Sequence, residues 1–420
     1  MRISDFGEER DDARYRATAT VTWEDCGRPP QQVFFETDRE HAPYLWCNPH
    51  AFLVAGVMPA MRHGERRVAL DAPACPELVV GLHTAMRWLR RWYGESHQPV
   101  VIETLPGIPP MPSDANRRAG MFLSGGLDSL AVLWFNRTTY PLDHPNAYQA
   151  GILVHGFDIG AFQGGDQETA KFEQSMRALE PIAADVQLPL VPVYTNVRHL
   201  SDEVDFWMHD FHAAALSSVA HAFSRSLCSA AISSTATIEC LHAWGSHPLL
   251  DPCYSSADLR IRHDGVHLSR LEKAKLLGQW EAGLQGVRVC WTNPADALNC
   301  GHCEKCVRTM LELMVAGKLD QSRAFPTKTI TPEEILPLPL TAPYADAQWL
   351  DLVDPLRRLG RHDLVKAIEE RSARYHKHIT WEEERDWKGA VKRFDRRFLG
   401  SGMFKTYRAL RSGWRRTQRP

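Results

Sequence analysis

The chain has 420 residues, 44% of them apolar and 24% charged, with a net charge of −2. That length suits two or three domains with a sizeable core, and the composition is that of a soluble globular protein. The near-neutral balance excludes a whole-chain nucleic-acid binder, and the longest strongly apolar stretch, Phe52 to Met61, is too short to span a bilayer.

Residues 1 to about 110 read as a small α+β domain. Met1 to Arg10 has no apolar run, so no signal peptide is expected. Arg16 to Trp23 and Gln32 to Glu36 are strand candidates joined by the turn Gly27-Arg-Pro-Pro30. A helix starts after Asn48, a candidate N-cap followed by proline. Arg67 to Leu70 reads as a strand, and Pro76 to Tyr93 as a helix with Leu78, Leu82, Met86 and Leu89 on one face. Val100 to Glu103 is a further short strand. No catalytic constellation is legible here, and His50, His63 and His83 read as surface or core histidines. The proline-rich stretch Leu105 to Pro112 predicts a stiff linker.

Beyond it strands and helices alternate, which predicts an α/β domain with a parallel sheet over residues 115–320. Its strands are expected at 121–123, 150–155, 190–195, 230–234 and 287–290, and its helices at about 167–183, 206–226 and 269–282. In Ser124-Gly-Gly-Leu-Asp-Ser129 a strand meets a helix through two glycines. Glycines let a ligand approach the backbone, and the amides of residues 125–129 with the helix N-terminus suit a phosphate or pyrophosphate. No lysine follows in the Walker pattern. Asp128 is read as shaping the loop by capping the helix, with metal contact as the alternative. In such sheets ligands bind at the carboxyl ends of strands, which puts His155-Gly156-Phe157-Asp158 and Thr195-Asn196 around the same crevice.

A polar stretch over 236–268 is read as one long, functional loop. Its candidate substrate residues are Glu239, His242, Ser246, His247 and Asp251. Ser269 then caps a helix, with Glu272 completing a capping box. In that helix Arg270 and Lys273 are candidates for the phosphates, or else a solvated face. The ten cysteines divide into six scattered and four at Cys290-x9-Cys300-x2-Cys303-x2-Cys306. This is a metal pattern of a reducing compartment rather than a disulfide framework, so a cytoplasmic location is expected. Four thiolates predict a closed structural zinc site, with an iron–sulfur cluster as the alternative and His302 as a spare ligand.

Ser124-Gly-Gly-Leu-Asp-Ser129 resembles the PP-loop of the ATP pyrophosphatases. Together with the cysteine pattern some 160 residues on, it resembles the 7-cyano-7-deazaguanine synthase (QueC-like) family over about 115–320. The resemblance implies an adenine nucleotide alpha hydrolase-like fold and an ATP-dependent C–N ligase. Such an enzyme adenylates a carboxylate, deazapurine-like in that family, and passes it to ammonia or another amine, releasing AMP and pyrophosphate. It implies ATP with Mg²⁺, with pyrophosphate contacts at Ser124, Gly125, Gly126, Asp128 and Ser129; Leu127 belongs to the same loop, and the strand-end rule puts the adenine near His155 and Gly156. Asp128, Lys273 and Arg270 become the catalytic candidates, and structural Zn²⁺ goes to the four cysteines. The family's substrate run is replaced here by Ser246-His-Pro-Leu-Leu-Asp251. A role in 7-deazaguanine (queuosine) biosynthesis or in bacterial antiviral defence follows as the implied setting. The rivals are a PP-loop tRNA sulfur transferase, for which Cys240 and Cys253 are placed by position, and a non-catalytic nucleotide-binding scaffold.

From about 321 the chain reads as helical and ends in a basic stretch. Residues 388–420 carry eleven Lys and Arg against Asp395, a net of +10, leaving −12 on the remainder. Trp387, Val391, Phe394 and Phe398 fall at helical spacing. Docking within the chain or on a protein partner is expected rather than on nucleic acid, no membrane is expected, and a homodimer is a further candidate arrangement. Removal of residues 388–420 is expected to spare ATP turnover and weaken assembly with a partner. Steeply salt-dependent tRNA binding, lost on truncation, would instead mark an RNA enzyme.

Overall fold

The computed structural model describes residues 1–385 apart from 12, 110–116, 160–165, 291, 293, 295–296 and 341–342. The basic C-terminal stretch and part of the proline-rich linker therefore lie outside the described residues. Two compact units emerge, Met1–Ile330 and Thr331–Pro420.

The first unit is built on a ten-stranded sheet, ordered β10-β9-β6-β7-β8-β3-β2-β1-β4-β5. The strands are β1 (Arg2–Arg10), β2 (Arg14–Thr22), β3 (Gln31–Asp38), β4 (Arg67–Leu70), β5 (Val101–Thr104), β6 (Arg118–Phe122), β7 (Tyr148–His155), β8 (Leu190–Thr195), β9 (Leu227–Ser233) and β10 (Arg260–Asp264). β10, β9, β6, β7 and β8 are mutually parallel. The apolar runs of β6, β7, β8 and β9 are largely buried, as central parallel strands require. The α/β class with a mostly parallel sheet is thus as expected.

Where the sequence reads a self-contained N-terminal domain, the sheet runs on without a break. β3 pairs antiparallel with β8 through Phe35 with Thr195 and Glu36 with Tyr194. The Thr37 hydroxyl donates to Pro192 O at 2.7 Å, and the Phe34 N–H donates to Asn196 Oδ1 at 3.0 Å. One core joins Phe52 and Leu82 of the N-terminal region to Ala214, Phe223 and Ile232 of the parallel part.

Two further expectations change. Val287–Cys290 is not a strand; the fifth parallel strand is β10, inside the stretch read as loop. Only Ile261 of β10 is deeply buried, so its edge position left no apolar run in the sequence. β1, mostly charged and exposed, is also invisible to periodicity.

The helices of this unit are α1 (Pro49–Arg62), α2 (Pro76–Tyr93), α3 (Leu127–Thr139), α4 (Asp166–Asp185), α5 (Val204–Phe206), α6 (His212–Ala222), α7 (Arg270–Leu277), α8 (Glu281–Gly286) and α9 (Glu304–Val315). The predicted helix at 206–226 is split by a π-helical turn, Trp207–Phe211, between α5 and α6. Such a turn re-aims the side chains on it. The second unit holds α10 (Pro332–Ile335), α11 (Pro343–Leu350), α12 (Val353–Arg358) and α13 (His362–Arg385) around buried Trp349, Leu356 and Leu364. Among the described residues, no helix is long and apolar enough to cross a membrane.

Asn48 caps α1 as expected, its side chain accepting from the His50 N–H at 3.0 Å. It also ties α1 to α6 by donating to His221 O at 2.9 Å. His50 and His221 are both buried, their ring centres 5.8 Å apart. His50 Nε2 accepts from the Cys75 N–H, and His221 Nε2 donates to Tyr254 O. Burial pushes both imidazoles down, His50 to about 4.

An unfolded imidazole takes up a proton below about 6.5, whereas folded His50 resists until about 4. The stability contributed by keeping His50 neutral is therefore complete above pH 6.5 and is lost as the pH falls towards 4. The loss is on the order of 3 kcal/mol for this residue. Melting temperature followed from pH 7.5 to 4.5 should fall in that window, and less steeply for His50→Gln.

Candidate functional site

β6 ends at the point where the strand order reverses: the chain passes on to β7 and β8, then returns to place β9 on the other side of β6. Crevices of open α/β sheets form at such switch points. Ser124–Ser129 lies there. Gly125 adopts φ +76°, a left-handed conformation that favours glycine, and Gly126 precedes α3 without any side-chain cap. The first amides of α3 thus remain available to an anion. The Arg288 N–H donates to Gly125 O at 2.9 Å, so the segment 287–290 braces the turn from outside the sheet. Ser129 Oγ donates to Gly126 O at 3.1 Å and lies 3.2 Å from Ser124 Oγ.

Asp128 does not cap α3. Its carboxylate reaches Lys273 Nζ at 3.0 Å and Arg270 at 3.2 Å, both on α7. Arg270 also pairs with Glu312 of α9 at 3.0 Å and contacts the Thr309 hydroxyl. Lys273 is fully buried and also donates to Ser234 O. The solvated-face alternative for Arg270 and Lys273 is therefore excluded. Burial pushes the Asp128 carboxyl up, but the Lys273 and Arg270 charges outweigh it and leave the group below the usual carboxylate range. Burial holds Glu312 above that range despite the guanidinium beside it. Lys305 and Arg308, on the same face as Arg270, are pushed down by burial and then by the Arg270 charge. Neither was singled out in the sequence, although both lie within three residues of Cys303 or Cys306.

The four cysteines converge. Their Sγ atoms lie within 4.8 Å of one another, with Cys300 to Cys306 at 3.9 Å and Cys290 to Cys303 at 4.0 Å. A tetrahedron of sulfurs about 2.3 Å from zinc has edges of about 3.8 Å. Two edges lie near that value and all lie within 4.8 Å, so the donor set suits a metal such as zinc. N–H groups of Cys300 and Cys303 donate to Cys290 Sγ and Cys300 Sγ, each at 3.3 Å, which favours thiolates. Asn299 holds the approach through Val289 N–H, Val287 O and Ala324 O. Cys306 stands in the first turn of α9, so the site ties the brace at 287–290 to the helix bearing Arg308 and Glu312.

At the neighbouring strand ends, His155 is half-buried against Phe172 and Tyr194, ring centres 5.3 and 5.5 Å away. Gly156 has φ +105°, and a Cβ there would lie 1.9 Å from Thr195 O. No other residue fits. Arg198 donates to Phe157 O at 2.8 Å and stacks on Trp207, whose indole N–H donates to Asp158.

The stretch 241–251 packs onto the π-helical turn, where Gly245 N–H donates to Met208 O. Asp251 is fully buried and organises it. It accepts from Ser246 Oγ at 2.7 Å, from the His247 N–H at 2.9 Å and from His263 Nδ1 of β10 at 2.7 Å. His247 Nδ1 accepts from the Leu249 N–H, and its ring meets Trp92 of α2 at 5.0 Å. Trp244 stands beside His242 and His209. Of the predicted substrate residues, Ser246, His247 and Asp251 are brought together, His242 joins through Trp244, and Glu239 is exposed. Sequence reading placed His263 among the polar groups of a supposed loop without making it a site candidate, and it missed Trp92, which lay in a supposedly separate domain. Comparison of the chain with protein-family models, with curated proteins and with solved structures finds no match.

Purified protein should carry about one zinc per chain by elemental analysis. Cys303→Ser should lose both the metal and soluble yield, because a closed four-thiolate site contributes to folding itself.

Proposed function

We propose that the protein is an ATP-dependent ligase of the PP-loop type. It adenylates a carboxylate, releases pyrophosphate, and transfers the acyl group to an amine with loss of AMP. The observation that carries this reading is the meeting of the Ser124–Ser129 turn, the uncapped start of α3 and the cations Arg270, Lys273, Lys305 and Arg308 at one switch point.

The amides of the turn would hold the pyrophosphate as it leaves, with Ser124 and Ser129 supplying hydroxyls. Mg²⁺ would share the triphosphate charge. Asp128 holds the two α7 cations in place before nucleotide arrives, and the phosphates would take over part of that pairing. The half-buried ring group at His155 offers a face for adenine. The carboxylate would lie towards the 241–251 stretch, with a deazapurine acid as the substrate class implied by the resemblance. Sulfur transfer is less well supported: burial pushes the Cys253 thiol up to about 11, away from the reactive thiolate.

Asp128→Ala is not a clean test of this site, because Asp128 is the shared partner of Lys273 and Arg270. It would strand a buried lysine and arginine, at a cost of about 3–5 kcal/mol. Ser124→Ala combined with Ser129→Ala is the clean test. AMP and pyrophosphate release should fall about 10²-fold or more, while the melting temperature stays near that of the parent. Unchanged turnover would reject the assignment, and an absence of ATP cleavage by the parent with any carboxylate would favour a scaffold.

A further inference from the structure

The residues gathered at the carboxyl ends of the strands divide by charge. At the turn stand Arg270, Lys273, Lys305 and Arg308. Between Ala236 and Leu259 there is no lysine or arginine, but Glu239, Asp251 and Asp258 are present together with His242 and His247. Asp258 is taken up by Ser256 and Arg117. An ammonium group is attracted to such an end, and a phosphate is not.

Within it, Asp251 and His263 form a buried carboxylate–imidazole pair. Asp251 is fully buried, and the His263 side chain is 5% exposed. The carboxylate fixes the tautomer: Nδ1 carries the proton it donates to Asp251, which leaves a lone pair on Nε2. That Nε2 is buried and has no hydrogen-bond partner. A buried imidazole nitrogen without a partner is costly unless something it binds supplies one. His247 cannot serve in its place, because its Nδ1 accepts from Leu249 and its Nε2 is then the protonated donor. The groups facing His263 are Asp251, Ser246 and His247, with His242 beyond.

His263 also stands at the right depth. It pairs with Ile232 of β9, one residue past Ala231, which pairs with Met121 of β6. Two strand spacings, about 10 Å, therefore separate it from the end of β6 along the same carboxyl edge.

We propose that this end of the strand edge receives the acceptor, ammonia or a primary amine, in its protonated form, and that His263, held by Asp251, is the base that deprotonates it. The proposal rests on the ligase reading above. One ammonium proton passes to His263 Nε2 and on to water. The freed nitrogen attacks the acyl carbon of the acyl-adenylate and the C–N bond forms. The C–O bond to phosphate breaks, AMP leaves with that electron pair, and the second nitrogen proton departs through the same imidazole.

The test uses the full-length protein with ATP, Mg²⁺ and a 7-carboxy-7-deazapurine, with ammonium or hydroxylamine as acceptor. His263→Asn keeps a donor to Asp251 but removes the base. The ratio of amide formed from ammonium to pyrophosphate exchanged into ATP should fall about 10²-fold. Hydroxylamine, neutral near pH 7, should still trap the acyl group, and added imidazole should restore amide formation in His263→Gly. An unchanged ratio in His263→Asn overturns it while leaving the ligase reading intact. Failure of the parent to exchange pyrophosphate overturns both.

Discussion

The ion-pair cluster centred on Asp128 is the constraint on which the rest of the structure depends. Lys273 is wholly buried and Arg270 nearly so. Charges taken out of water at such positions persist only when paired. Asp128 on α3 supplies the shared partner, and Glu312 on α9 completes the set. Three helices distant in sequence are thereby fixed around the end of β6. The cysteine site acts on the same assembly from the other side, since Cys306 begins α9 and Cys290 ends the segment that braces Gly125. The glycine turn is thus held in shape by an electrostatic lock and by a cysteine cluster that could hold a metal, in addition to its own short-range contacts.

A second organising feature is the separation of charge along the crevice. Cations gather where helices begin and end near the turn; carboxylates and imidazoles gather on the stretch after β9. The π-helical turn at Trp207–Phe211 links the two, because Trp207 touches Asp158 at the end of β7 while the same turn supports Gly245. A ligand carrying phosphates at one end and an electrophilic carbon at the other would meet a graded field. Each end would be oriented by it before any specific contact forms.

The sequence made the local features legible where one short segment carries the whole signal. The strand–glycine–helix turn, the cap at Asn48, the capping box at Ser269 and the spacing of the four cysteines all appear as read. What escaped was set by distant partners. β10 is an edge strand with a single deeply buried residue, so no periodicity announced it. Asp128 sits where helix-capping carboxylates often sit, and only the fold reveals that α7 delivers two cations to it. His263 and Trp92 gain meaning solely from Asp251 and His247, and the proline-rich stretch before β6 disguised a sheet that continues through both regions.

The junction of β3 with β8 has a practical consequence for anyone seeking a minimal version of the protein. A fragment beginning near residue 117 would look natural from the sequence. It would bare the outer edge of β8, whose N–H and C=O groups β3 now engages, and strip from α6 the apolar face covered by α1. Unprotected edges of this kind recruit strands from other chains. Expression trimmed to the parallel half alone would therefore expose an edge open to association, which the first hundred residues now cover.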